Sequence, residues 1–188
     1  IYKAVTKQFT LGGNGAAFGA STNPGFGWAY KADNGFAISS NAVSQDGDHT
    51  DGWGTDESKT SWATQIGITK PTYSASVIVN RKYNGWEDYY FSTTNGRNRD
   101  TGLNSTNIGL RALWRPQETG SATPSISVGF DTSEIDNAAS GASSTDMFFV
   151  GLNWADMFTA DDKIGLAFGQ PQTNENDTVD PFSYEAYY

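Results

Sequence analysis

Cysteine is absent from the 188 residues. That excludes a disulfide framework, thiolate nucleophiles and every Cys-ligated zinc or iron–sulfur site. Histidine occurs once, at His49, so any imidazole-dependent catalysis would rest on that residue alone. His49 lies in "SQDGDHTDGWGTDE", where nothing holds a ring beside a nucleophile. Paired carboxylates are plentiful, but nothing fixes their separation as glycoside hydrolysis requires. The sequence does not read as an enzyme, and it calls for no cofactor. Basic residues are scarce, 12 Lys+Arg against 21 Asp+Glu, for a net charge of -9. Nucleic acid is a poor partner for such a chain, because its phosphates demand clustered positive charge. No apolar run reaches the ~18 residues of a transmembrane helix. A transmembrane β-barrel is untouched by that absence, since it places its apolar residues at alternate positions.

What is present is alternation. Glycine is 21 of 188 residues and aromatics are 14%. Period-2 patterning and turn residues predict nine strands near 25–31, 35–43, 60–69, 72–82, 106–115, 123–131, 145–154, 163–169 and 182–188. Residues 1–24 are too rich in Gly and small side chains for a firm strand. "NWADMFTADD" is long enough for one helical turn at most. On most strands one face is large and apolar and the other small or polar. Residues 106–115, for example, set Ile108, Leu110, Ala112 and Trp114 against Asn107, Gly109, Arg111, Leu113 and Arg115. Ile78, Leu113, Met147 and Phe149 break the rule by sitting on the small face.

The connections alternate in length. Short links at 32–34, 70–71, 116–122 and 155–162 are interleaved with long ones at 44–59, 83–105, 132–144 and 170–181. In an up-and-down meander this gathers the short turns at one end and the long loops at the other, the layout of outer-membrane barrels. Aromatics on the apolar face cluster at both ends. Tyr30, Tyr73, Trp114 and Trp154 lie near the short turns; Phe26, Trp62, Tyr83, Phe130 and Phe168 lie near the long loops. Such girdles are expected at two membrane–water interfaces. The fold expected is therefore all-β: an antiparallel up-and-down transmembrane β-barrel with its apolar face towards lipid. Alternation alone also fits a secreted β-sandwich whose exposed Trp and Tyr bind carbohydrate.

Charge adds detail to the channel reading. The four long links carry 13 acids against three bases, an acidic mouth that concentrates cations over roughly a Debye length, ~8 Å at physiological salt. The presumed lumen face carries Lys31, Lys82, Arg111 and Arg115, with Asp131 towards the loop end. Mid-strand Arg111 is either a selectivity constriction or half of an ion pair with an acid on a neighbouring strand. Arg81 falls on the lipid-facing parity at the rim, where it can snorkel. Asp46, Asp48 and Asp51, with Glu57 at the twelfth position, form a candidate calcium loop whose third carboxylate is one residue late for an EF-hand.

"VGFDTSEI", "FFVGLNWADMF", "IGLAFGQPQ" and "DPFSYEAYY", in this order, together with "GWAYKADNGFAISSNAVS", resemble the carbohydrate-selective (OprB-type) porin family, and most closely the iron-uptake porins of cyanobacterial outer membranes. The resemblance covers most of residues 25–188. It implies a sixteen-stranded outer-membrane barrel, a homotrimer in outer-membrane lipid, passing small hydrophilic solutes or ions. It also implies an N-terminal surface-layer-homology domain that binds peptidoglycan or related cell-wall polymer. Residues 1–188 would then be part of the barrel, without that domain and without the closing strands. Nothing in the residues themselves selects iron or a sugar. A plugged barrel serving as an anchor or surface receptor is a third expectation, with residues 83–105 folded into the lumen.

Overall fold

The computed structural model describes residues 23–86, 103–137 and 141–188. Nine strands form one sheet: β1 (Gly25–Lys31), β2 (Phe36–Ser44), β3 (Thr60–Thr69), β4 (Tyr73–Lys82), β5 (Ser105–Trp114), β6 (Ser125–Ile135), β7 (Ser144–Ala155), β8 (Lys163–Asn174) and β9 (Ser183–Tyr187). Every strand pairs antiparallel with its sequence neighbours, in the order β1 to β9. The expected meander is present. The sheet is open, with β1 and β9 each paired on one side only.

Local chemistry sets the turns. Between β1 and β2, Asn34 accepts the Phe36 N–H at 3.0 Å, and Gly35 adopts φ +88° while its N–H reaches Ala32 O. A side chain there would meet the carbonyl of Thr69, whose N–H bonds Gly35 O at 2.9 Å, so the "DNG" turn and the end of β3 are fitted to each other. Residues 156–162 form a turn, not the helical turn the sequence allowed. Asp162 accepts the N–H groups of Met157, Phe158 and Thr159 at 2.7, 2.9 and 3.1 Å. A side chain bonded to its own loop in this way replaces the helix's i→i−4 bonds.

The alternating loop lengths hold only for the first half of the chain. Strand β6 runs to Ile135 and β8 to Asn174. The links 136–143 and 175–182 are therefore no longer than 115–124. The polar tails "DTSEI" and "QPQTN" continue the ladder although their composition reads as loop. Pro171 is tolerated in β8 because the register slips there. Phe148 pairs with Gln170 and Asp146 with Thr173, so Pro171 and Gln172 together oppose Met147. This is a bulge, one of the few places a strand accepts a residue without an N–H.

Registration also inclines the sheet. One cross-strand row runs Tyr30–Ile38–Ile66–Val77–Leu110–Phe130–Phe148–Gln170. It starts beside Lys31, the short-turn end of β1, and meets β8 seven residues beyond Lys163, the short-turn end of that strand. A drift of about six residues at ~3.3 Å, over seven strand spacings of ~4.8 Å, inclines the strands by roughly 30° from the perpendicular to the line of short turns.

The two faces are chemically inverted relative to a water-soluble sheet. The apolar face is exposed: Trp28 57%, Trp62 54%, Leu110 47%, Phe130 43%. No described strand packs over it. Most of the polar face from β3 to β8 is buried, including Ser61, Asn80, Asn107, Ser127, Ser133 and Thr145. In β1, β3, β5, β6, β7 and β8 every strand glycine shares that polar face. Two rings lie flat on such glycines. A Cβ on Gly129 would sit 2.1 Å from Phe149, and one on Gly165 2.0 Å from Tyr187. Met147, Phe149, Ala167 and Tyr187 form the largest apolar cluster of this face. Bulk on one side and Gly, Ser and Ala on the other favour a sheet that curls towards its small side.

Candidate functional site

The polar face is knit across strands by side-chain hydrogen bonds. Ser61 donates to Asn80 Oδ1 at 2.8 Å, Gln65 to Ser76 at 3.2 Å, Asn107 to Asn80 O at 3.2 Å, and Asn153 to the Tyr187 hydroxyl at 2.7 Å. These bonds tie β3 to β4, β4 to β5 and β7 to β9 on the polar face, beside the apolar cluster around Phe149.

At its centre Arg111 of β5 meets Asp131 of β6. The guanidinium is bidentate, Nη1 to Oδ1 at 2.5 Å and Nη2 to Oδ2 at 2.9 Å, and Nη1 also donates to the carbonyls of Leu110 (2.8 Å) and Phe130 (3.2 Å). Its carbon lies 5.5 Å from the centre of the Phe149 ring. The two side chains are 2% and 0% exposed. Of the two readings the sequence offered for Arg111, the ion pair across strands is the one observed. A guanidinium held by four acceptor contacts and walled by a ring is not available to passing solutes.

The other candidate lumen residues are not brought to this pair. Lys31 is exposed at the end of edge strand β1. It borders a groove of about 270 Å³ lined by Ala37, Ser39, Gln65, Gly67 and Ser76. Lys82 is buried at the loop end of β4, opposite Ser61 and Ser105. Arg115 lies just past β5, exposed in the link 115–124, with its N–H on Thr72 O. The expected line of lumen bases is thus scattered, because the parity shared by these residues fixes the face but not the height.

The apolar face is a band with two borders. At the short turns Tyr73 pairs directly with Trp114 across β4–β5, and Trp154 stands opposite Ile164. Tyr30 ends the series on β1, so the predicted short-turn girdle shares one face. The opposite girdle is corrected. Phe130 and Phe168 stand mid-strand, in rows with Leu110 and Val150, because β6 and β8 extend beyond their expected ends. Trp62 remains near the loop end, in the row Ala42–Trp62–Arg81–Thr106–Glu134–Ser144. The first charges on the apolar face are Asp146, one row nearer the middle beside Thr132, and Arg81 and Glu134 of this row. Arg81 donates to Thr106 Oγ1 at 2.5 Å, is bidentate to Asp136, and stacks 5.6 Å over Tyr83. The Arg81 hydrogen bonds hold Asp136, beyond the end of β6, below the usual carboxylate pKa. From Trp114 to Thr106 the strand spans about 26 Å at ~3.3 Å per residue, with no charge on that face.

Asp46, Asp48 and Asp51 are exposed. No group of three acidic or His side chains poised to hold a metal occurs among the described residues. The loop spends its geometry on its own backbone: His49 N–H bonds Asp46 O and Gly52 N–H bonds His49 O, leaving the carboxylates splayed. His49 lies 3.8 Å from Asp48, both largely exposed. The inward-folding segment expected in 83–105 lies mostly outside the described residues, as does a strand before Pro24. Sequence reasoning missed Gln65 and Ser76 in the groove, the rings lying on Gly129 and Gly165, and Trp53. The misplaced Phe149 was the available signal for the second of these: a ring on a Gly-rich face needs a glycine beneath it.

No protein-family description, curated protein or solved structure matches the chain.

Proposed function

We propose that the chain is wall of an outer-membrane channel of the carbohydrate-selective porin type, through which small hydrophilic solutes and ions, iron among them, diffuse passively. The observation that carries the reading is the inverted polarity of a single sheet. Its charge-free apolar face is exposed and bordered by Tyr and Trp at one end and by Arg81, Glu134 and Asp146 at the other. Its opposite face holds amides, hydroxyls and a buried ion pair. Lipid is the solvent that rewards this arrangement: a charge at mid-depth on the lipid side costs ~2–4 kcal/mol, and none is there. A strand incline of roughly 30° approaches the ~35–45° of membrane barrels, where stagger is what permits closure. A soluble sandwich needs a second layer over the apolar face, and all nine strands belong to one sheet.

In this reading the sheet closes with further strands, the polar face turns to the lumen, and width with charge filters the solutes. The Arg111–Asp131 pair contributes a neutral, rigid patch. Lys31 with the groove beside it, exposed Lys163 and half-buried Glu185 are accessible charges of the wall. The acids of the loop end draw cations to the mouth. Outer-membrane lipid, two further copies in a trimer and cell-wall polymer bound through a separate domain are the partners this reading brings with it.

Single-channel conductance of the detergent-purified full-length protein, in planar bilayers under a salt gradient, tests it. Stable ohmic steps with a cation-biased reversal potential support the open channel. Protein that stays soluble without detergent and never conducts sinks it, and promotes the carbohydrate-binding sandwich. Detergent-dependent protein that inserts but does not conduct supports the plugged anchor instead.

A further inference from the structure

A second concavity lies on the apolar side of the sheet, at the charged row. It has a volume of about 340 Å³ and is walled by Phe26, Trp53, Trp62 and Tyr83, with Ser58 and Asn84 on its polar side. Three of these rings come from β1, β3 and the residue after β4. The fourth is delivered by the loop 45–59, which is built to do so. Ser44 Oγ donates to Gly52 O at 2.5 Å, and a side chain at buried Gly52 would collide with the Asp46 carbonyl. Residue 53 is thereby fixed, and its ring lies 5.4 Å from Phe26. Both indole N–H groups are already engaged, Trp53 with Gly47 O at 3.1 Å and Trp62 with Ser40 Oγ at 2.8 Å. What the two indoles offer a ligand is therefore their faces. Asn84 is held in turn, its Nδ2 on Ser58 O at 2.7 Å and its N–H on Asn104 Oδ1 at 3.1 Å.

Aromatic faces beside amide and hydroxyl groups recognise a sugar ring, whose C–H face is apolar and whose edge is polar. The Ser58 hydroxyl donates to Thr55 O at 2.9 Å and keeps its oxygen as an acceptor. The surrounding loop carries Asp46, Asp48, Asp51, Asp56 and Glu57 against Lys59, which disfavours a phosphate headgroup. The height of the pocket argues for a membrane source of the sugar. It opens on the face that meets lipid, where the charge-free band gives way to the row of Arg81 and Glu134. Headgroups lie at that level. We propose that this pocket binds the neutral sugar headgroup of a membrane glycolipid against the rings of Trp53 and Trp62 that line it. The inference rests on the lipid-facing assignment made above.

The test uses the full-length protein in detergent, with native mass spectrometry of retained lipid. A diacylglycerol bearing one neutral hexose is compared with the same diacylglycerol unglycosylated and with the free methyl hexoside. The hexosyl lipid should be retained, Trp53→Ala should weaken it about tenfold, the loss of one stacking face, and Trp53→Phe should restore most of it. Trp28→Ala, on the same face but outside the pocket, should change nothing. Equal retention of the unglycosylated lipid overturns the proposal. So does full occupancy by the methyl hexoside alone, which would make the site one for a dissolved solute. Disulfide cross-linking of two copies of the Trp53→Cys variant also overturns it, making the pocket a subunit interface. Quenching of the tryptophans by brominated acyl chains in vesicles separates the two levels. Quenching without hexosyl-lipid retention removes this site alone; no quenching removes the lipid-facing assignment and the site with it.

Discussion

Arg111 and Asp131 meet diagonally across β5 and β6, each standing opposite a glycine, Arg111 facing Gly129 and Asp131 facing Gly109. The glycines leave the room that lets a guanidinium and a carboxylate lie flat along the sheet as a fork. The pair is a buried strut of the sheet. Arg111→Ser should leave Asp131 buried and unpaired, at a cost of ~3–5 kcal/mol, whereas removing both charges together with Arg111→Met and Asp131→Leu should recover most of that loss. Thermal unfolding of the detergent-solubilised protein, followed by far-UV circular dichroism, measures both. Reversal potential should barely move in the double variant. A double variant as unstable as the single one, or a large selectivity change, would return Arg111 to the lumen.

The rings on glycines predict a second coupling. Gly129→Ala places a methyl group 2.1 Å from Phe149. Phe149 must then lift off the sheet, at a cost of about 1–3 kcal/mol for overpacking. Gly129→Ala combined with Phe149→Ala should cost less than the sum of the two single changes, because the clash needs both groups. Strict additivity in the thermal unfolding of the four proteins would show that the ring does not rest on the glycine.

Strand positions were readable because large apolar and small or polar residues alternate along most of each strand, with Ile78, Leu113, Met147 and Phe149 as the exceptions. All nine strands begin within two residues of where the pattern puts them. Ends were less readable. "DTSEI" and "QPQTN" are polar enough for loop, and only pairing with β5 and β7 keeps them extended. The Arg111–Asp131 pair was half-legible. Parity assigns both residues to one face, but their contact depends on the β5–β6 register, which a link of ten residues, 115–124, leaves undetermined in sequence. Trp53 was not legible at all. An indole in a Gly- and Asp-rich loop gives no sign that backbone closure will turn it onto the apolar face.

Glu175 ties the link 136–143 to the end of β8. It accepts the Ser143 N–H at 2.7 Å, the Ser143 hydroxyl at 2.8 Å and the Ser144 hydroxyl at 2.9 Å. The Ser143 backbone bond, then the two hydroxyls, hold its pKa below the ordinary value of 4.5. A depressed folded-state pKa contributes stability that is complete above the unfolded pKa and is lost as pH falls through the folded one. Hydrogen exchange at Ser143 should therefore be slow at neutral pH and accelerate on acidification below the ordinary Glu range. Glu175→Gln should be faster at neutral pH and lose most of that dependence. A wild-type profile that matches the Gln variant at every pH would remove Glu175 as the tie.

The absence of cysteine makes the two faces directly comparable, since each introduced thiol is the only one in the protein. Leu110 stands mid-band on the apolar face, and Asn41 is exposed on the other face of β2. In lipid vesicles, a charged maleimide should label Asn41→Cys readily and Leu110→Cys at least roughly tenfold more slowly, because hydrocarbon excludes both the reagent and the thiolate. After unfolding in urea the two should react alike. Equal labelling in vesicles would mean that water reaches both faces. The apolar band would then be an unpartnered surface of a soluble sheet, and the channel proposal would fall with it.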